Sequence, residues 1–267
     1  MNVTVLKLGG ELIEALDART AMAARIATLA SQTLLIVVHG GGKAIDAELA
    51  RRGIAPKKVD GLRITDADTL DAVVAVIAGS TNTALVASLV AADVKAVGLT
   101  GVDAGCGRAT RVAPITSTAG EVVSLGLVGD PTAADPALFH TLVSAGYVPV
   151  VACLGVDSTG QVLNVNADVI ACRIAAAVGA RELIIAGTTA GVFDAHGATI
   201  PLLDTDGMSA MIASGAANAG MVAKLNACRT ALDAGVEAVR VVDGKDLMTG
   251  TVLQLVAVGY ESNRTRR

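Results

Sequence analysis

Two glycine clusters, Lys7-Leu8-Gly9-Gly10 and His39-Gly40-Gly41-Gly42-Lys43, each stand directly after a short β-type run and ahead of a helical one. Val3-Thr4-Val5-Leu6 and Leu34-Leu35-Ile36-Val37-Val38 are β-branched or aliphatic stretches of strand length. Glycines at a strand-to-helix turn let backbone N–H groups approach an anion at the helix N-terminus. Two such turns, about thirty residues apart, constrain the chain to an α/β sheet that grips negative charge at its edge. They can serve two anionic molecules or two ends of one reaction.

Further strand-like runs at 95–99, 148–152, 182–186 and 238–242 join those at 3–8 and 34–38. Between most of them lie Ala-rich segments of helical period, at 18–31, 43–52, 66–92, 135–145, 167–178, 206–213 and 223–235. Asp66 and Asp135 are expected caps, and Gly79 is expected to break the long segment. This alternation predicts a mainly parallel sheet covered on both faces. Stretches 106–130 and 153–165, rich in Gly, Thr, Ser and Val, predict inserted β-hairpins of the kind that close over substrates. No low-complexity linker divides the chain, so two lobes of one continuous sheet are expected, 1–175 and 176–267.

A chain of 267 residues with 52% hydrophobic content has ample material for a core. With two Tyr, two Phe and no Trp that core is aliphatic, and base stacking on an aromatic platform is not expected. A net charge of -4 also argues against a nucleic-acid partner, since the only basic cluster is the terminal Arg264, Arg266 and Arg267, read as a solvated tail. Cys106, Cys153, Cys172 and Cys228 lack metal-type spacing and sit among apolar or small residues, which predicts reduced core thiols. No leader segment and no apolar run of membrane length free of charge or turn signals is evident, so a soluble cytoplasmic protein without a membrane partner is expected.

Lys7 ends the first strand within reach of whatever anion Gly9-Gly10 holds, although neither a Walker loop nor G-x-G-x-x-G is present. Three consecutive glycines at 40–42 carry an entropy cost that a simple turn does not require, which favours backbone pressed against a ligand. His39 is a candidate general base, but a neutral strand-end histidine bonded to backbone is the better reading. Arg63, after a glycine turn and before a helix, suits a substrate carboxylate, or equally a surface ion pair. In Asn164-Val165-Asn166-Ala167-Asp168, capping accounts for Asn166 but not for Asp168 in the first turn of an apolar helix. Lys224 stands alone in a nearly uncharged neighbourhood, and spacing does not decide whether it is a cap-region lysine or a second cation for the same anion.

These elements, in this order, resemble the amino-acid kinase family. The likeness runs through Lys-Leu-Gly-Gly at 7–10, Val-His-Gly-Gly-Gly at 38–42, Asp-Gly-Leu-Arg-Ile-Thr at 60–65, Val-Gly-Leu-Thr-Gly at 97–101 and Leu-Gly-Leu-Val-Gly at 125–129. It continues with Gly-Tyr-Val-Pro-Val-Val at 146–151, Asn-Val-Asn-Ala-Asp at 164–168 and Gly-Met-Val-Ala-Lys at 220–224, and so covers essentially the whole chain. Gly-Leu-Arg together with Asn-Val-Asn-Ala-Asp is similar to one branch, whose members use ATP to phosphorylate the γ-carboxylate of N-acetyl-L-glutamate in arginine biosynthesis.

The resemblance implies a three-layer α/β/α sandwich, with the acyl amino acid and dimer contacts in the N-terminal lobe and ATP, as its Mg2+ complex, in the C-terminal lobe. No tightly bound, protein-ligated metal is implied. Arg63 and Asn164 would hold the α-carboxylate side of the substrate, and backbone of Gly41 and Gly42 its acceptor end. Lys7 and Lys224 would meet the transferring phosphoryl group from two sides, with Asp168 orienting both. Gly9, Gly10 and Thr188 would face phosphate or nucleotide.

The chain departs from the family pattern at Gly187-Thr188-Thr189-Ala190-Gly191-Val192, where a carboxylate usually follows the first hydroxyl residue, and at Ala223, where proline is common. It starts at its first strand, and Asp243 to Val258 lacks the usual histidine and glutamate pattern of an arginine site, so the likeness implies an arginine-insensitive homodimer. Rival readings are a kinase of carrier-linked aminoadipate or glutamate, which Arg63 and Asn164 oppose, and a non-catalytic nucleotide-binding regulator, which the absent carboxylate favours.

Overall fold

The structure, a computed structural model, describes residues 2–256; the basic cluster at 264–267 lies outside them. Its centre is an eight-stranded sheet in the order Leu202–Asp204, Gly250–Gln254, Ala238–Asp243, Glu182–Gly187, Val3–Leu8, Leu34–His39, Val148–Ala152, Ala96–Thr100. All six expected strands are present. Every pairing in this sheet is parallel except that of Ala238–Asp243 with Gly250–Gln254.

Strand alternation sorts the first two strands onto two cores. Val3, Val5, Ile36 and Val38 face a cluster that includes Ile170, Ile174 and Leu225 from helices Ala167–Ala177 and Ala219–Asp233. Leu6, Leu8, Leu35 and Val37 face Met22, Ile26, Leu85 and Leu89 from helices Leu16–Ala30 and Asn82–Val90. The result is the three-layer α/β/α sandwich. Lys7 shares its parity with Val3 and Val5, which directs it to the layer of helix Ala167–Ala177.

Asp66 caps its helix, accepting from Thr69 N–H at 2.9 Å. Asp135 accepts from Ala137 N–H at 2.9 Å, one residue before the cap position held by Pro136. The expected break at Gly79 does not occur. Ala67–Val74 runs through a π-type segment, Ala75–Thr81, into Asn82–Val90, because widening the helix absorbs the glycine without ending it. By length and composition this one helix is apolar enough to cross a membrane, and only 33% of its most apolar window is buried.

The two inserted hairpins form but do not stand apart. Arg108–Arg111 pairs antiparallel with Val128–Ala133, and Leu154–Val156 with Val162–Val165. Parallel pairings of Leu154–Val156 with Arg108–Arg111 and of Val162–Val165 with Val128–Ala133 then close all four strands into a small barrel. Closing it satisfies strand edges that separate hairpins would leave open. The long hairpin carries a further two-stranded tip, Ile115–Thr116 against Val122–Val123.

All four cysteines are buried and unpaired, as the sequence predicts. Burial pushes the thiols of Cys106 up to about 11 and of Cys153 and Cys172 up to about 12, which leaves them inert at neutral pH.

Candidate active site

Parallel register brings the two glycine turns together. Leu8 pairs with His39 and with Ala186, and His39 pairs with Ala152, so the chain leaves the sheet side by side at Gly9, Gly40 and Cys153, next to Gly187, the last residue of its strand. A cleft of about 310 Å³ opens there, lined among others by Lys7, Gly9, Gly10, Gly41, Gly42, Arg63 and Asn164. That volume sits at the small end of ligand pockets, which run from roughly 300 to 1,000 Å³, and matches a small metabolite better than a nucleotide.

Lys7 Nζ lies 2.8 Å from Asp168 Oδ1, and Lys224 Nζ lies 3.4 Å from Asp168 Oδ2. Three elements distant in sequence supply this triad: the first strand, the first turn of helix Ala167–Ala177, and the second turn of helix Ala219–Asp233. Asn166 caps the former helix through Asp168 and Val169 N–H, which leaves the Asp168 side chain free for the lysines. Asn218 caps the latter through Met221 N–H at 2.9 Å. Side-chain exposures of 12%, 20% and 18% for Lys7, Asp168 and Lys224 keep the charges largely out of water while leaving a face open. Burial alone would raise the Asp168 carboxyl, but the ammonium charges of Lys7 and Lys224 outweigh it and hold the group below its ordinary value. The triad carries a net charge of about +1, suited to an anion.

Arg63 ends the short strand Leu62–Arg63, paired with Lys58–Val59 across the Asp60-Gly61 turn. Its side chain is only 8% exposed, and its Nη2 sits 2.6 Å from Asp46 Oδ1 and donates to Gly42 O at 3.2 Å. Its Nη1 is buried with no partner among the described residues. A buried guanidinium nitrogen without an acceptor, in a residue lining a cleft, is arranged for an anionic ligand. Lys58 also lines the cleft and pairs with Asp46 at 2.8 Å. Asn164 Nδ2 donates to Thr65 Oγ1 at 3.1 Å, tying the barrel wall to the segment that carries Arg63.

His39 is fully buried. Its Nδ1 lies 3.0 Å from Gly40 O and its Nε2 3.0 Å from Asn82 Nδ2, and burial depresses the ring to about 4. It is the neutral, backbone-bonded histidine of the better sequence reading and has no route to a substrate proton.

Thr188 lines a neighbouring cavity of about 390 Å³, with Asp243, Gly244 and Lys245, and not the cleft of Gly9 and Gly10. Glu11 borders both spaces. The carboxylate missing at the Thr188 turn therefore has two others in the same cavity, Glu11 and Asp243.

A model of the amino acid kinase family matches residues 2–243. The chain belongs to the amino acid kinase family. It is 43% identical over 249 residues to the acetylglutamate kinase of Symbiobacterium thermophilum, covering 91% of this chain and 85% of that one. It is likewise 43% identical over 241 residues to the acetylglutamate kinase of Solibacter usitatus, covering 90% of each. Among solved structures, a Streptococcus mutans protein superposes with a TM-score of 0.81 at 27% identity, covering 94% of this chain and 98% of that one.

Within this amino acid kinase, sequence reasoning passed over four residues of the site. Asp46 holds Arg63 and Lys58, Thr65 receives Asn164, Asn82 meets His39, and Glu11 stands between the two cavities. Asp46 had a findable signal, since it lies one helical turn beyond Gly42 and so on the same face as the glycine turn. Asn82 had none, because the π-type segment before it changes the helical phase.

Proposed function

We propose that this chain transfers the γ-phosphoryl group of ATP to the γ-carboxylate of N-acetyl-L-glutamate, giving N-acetyl-L-glutamyl 5-phosphate in arginine biosynthesis. The observation that carries the proposal is the convergence of Lys7 and Lys224 on the two oxygens of Asp168, at the edge of a cleft that holds the open Nη1 of Arg63. The relatives named acetylglutamate kinase support the choice of acceptor.

A carboxylate is already a competent nucleophile, so the site needs no base, and catalysis reduces to alignment and charge neutralisation. Arg63 and Asn164 take the α-carboxylate end, and Gly41 and Gly42 offer backbone donors to the acceptor end. Lys7 and Lys224 neutralise the charge that spreads over the migrating phosphoryl oxygens, while Asp168 fixes both ammonium groups. Gly9 and Gly10 leave room for the phosphates. In this reading Mg2+ arrives as part of the nucleotide complex, as the kinase family implies.

The lobes divide near residue 175, with N-acetyl-L-glutamate in the first and nucleotide in the second; every cleft-lining residue beside Arg63 precedes residue 168, and Thr188 follows the boundary. A homodimer in the cytoplasm is part of the same reading; helix Ala67–Val90 already buries Leu70, Val73, Val76, Ile77, Leu85 and Leu89 within the protein itself, and of its large apolar side chains Val90 is the exposed one. ADP release coupled to a reporter, with N-acetyl-L-glutamate beside glutamate and aspartate, tests the reaction. Strong preference for the acetylated substrate is expected, and ATP binding without turnover would favour a regulator on the same fold.

A further inference from the structure

Asn82 donates from Nδ2 to Val150 O at 2.9 Å, and the same nitrogen stands 3.0 Å from His39 Nε2. A carbonyl oxygen accepts only from an N–H, so the amide must point its nitrogen here, and both of its hydrogens are then used. His39 Nε2 is thereby an acceptor, the ring proton sits on Nδ1, and Nδ1–H donates to Gly40 O at 3.0 Å. In this tautomer both His39 ring nitrogens and both hydrogens of Asn82 Nδ2 have partners.

The relay ends on a glycine–glycine peptide. Trans planarity sets the Gly41 N–H opposite to the Gly40 carbonyl, and no described peptide is cis. With Gly40 O held against the buried ring, the Gly41 N–H faces away from the core, on the side where Gly41 lines the cleft. Nothing in a triple-glycine turn would by itself stop that peptide from flipping and presenting a carbonyl oxygen to an incoming anion. The π-type segment Ala75–Thr81 delivers Asn82 to this spot and backs the turn, since a Cβ on Gly41 would meet Thr81 Oγ1 at 3.7 Å and Ile77 Cγ1 at 3.8 Å. Gly98 makes the space: any side chain there would collide with Asn82 Oδ1.

We propose that Asn82 is a positioning residue for phosphoryl transfer, acting through the neutral His39 ring to hold the Gly41 N–H toward the acceptor carboxylate. The inference rests on the reaction proposed above. It also accounts for Gly98 of the Val97-Gly98-Leu99-Thr100-Gly101 run, which no contact with the cleft explains.

Two His39 variants and one at Asn82 test it, with steady-state rates on N-acetyl-L-glutamate and ATP and melting curves for each. His39→Asn keeps an N–H near the Nδ1 position, whereas His39→Gln reaches toward the Nε2 position. We expect His39→Gln and Asn82→Leu to lower kcat roughly a hundredfold, the scale of one lost backbone-type donor, with KM for ATP within about twofold of wild type. His39→Asn should recover most of that loss at equal melting temperature. Equal rates for the two His39 variants, or an Asn82→Leu enzyme with mixed tautomers and unchanged kcat, overturn the proposal; if Asn82→Leu does not fold, the His39 pair decides. Should wild type release no ADP with N-acetyl-L-glutamate, the reaction assignment fails by itself. The relay is then judged by 15N NMR: one Nδ1–H tautomer for His39, and a Gly41 amide resonance that shifts in His39→Gln but not in His39→Asn, uphold it, while their absence sinks it.

Discussion

Gly10 and Gly41 meet backbone to backbone: a Cβ on Gly10 would stand 2.8 Å from Gly41 Cα and 3.2 Å from its nitrogen. The contact follows from the parallel pairing of Leu8 with His39, which delivers both turns to the same edge at the same height. Neither glycine is needed there for an unusual φ; what each supplies is the absence of a side chain. The two turns thus form one surface, and a displacement of either moves the other.

Gly10→Ala should therefore push the Gly41 turn outward. A misplacement on the order of 1 Å can cost about a hundredfold in rate, so we expect kcat/KM to fall at least tenfold. The effect on melting temperature should be small by comparison, because the clash lies between two turns that line the cleft and not in either hydrophobic core. Near-normal activity would mean that the turns adjust independently.

Lys7→Ala and Lys224→Ala should each lower kcat by roughly a hundredfold with the fold intact. Asp168→Asn acts differently, since it leaves two mostly buried ammonium groups without a counter-charge. Its melting temperature should drop at pH 7. The wild-type carboxyl is depressed below 3.8, so its stabilisation is present above that pH and is lost as pH falls through the folded value. Wild type and Asp168→Asn should accordingly converge in stability as pH falls below 3.8 through the depressed folded value, which a melting series across acidic pH measures directly.

How much of this could be read from the chain depends on how local the cause is. The six central strands, the glycine turns and the caps at Asp66 and Asn166 were legible because each is written in contiguous residues. Lys224 was not assignable from spacing, and only its resemblance to a family motif singled it out. The barrel closure was hidden, as its parallel pairings join Arg108 to Val156 and Val128 to Asn164 without any local signal. The two- and three-residue strands are held by their partners more than by propensity. The π-type segment escaped notice because a helical pattern of period 3.6 does not register one added residue, and Asn82 escaped with it.

His39 offers a pH signature of its own. Burial lowers its pKa from 6.5 to about 4, so protonation favours the unfolded chain. Stability from this group is complete above about 6.5 and declines as pH falls toward 4, by on the order of 3 kcal/mol in all at 1.36 kcal/mol per unit. His39→Asn should flatten the dependence of melting temperature on pH across that window. An unchanged slope would assign it to other groups.

Arg63→Lys separates charge from geometry at the other end of the cleft. The guanidinium spans Asp46, Gly42 O and the ligand side at once, with Nη1 left open; an ammonium carries the same charge but cannot reach three directions in one plane. Asp46 would compete for the single Nζ, and burial would then leave the substrate carboxylate short of a donor. Hydrogen bonds to charged groups are worth about 1.5–3 kcal/mol, so KM for N-acetyl-L-glutamate should rise roughly ten- to a hundredfold. KM for ATP should stay near wild type, because Arg63 has no contact with the Thr188 cavity. Parallel loss of both affinities would place Arg63 in the scaffold and remove it from substrate recognition.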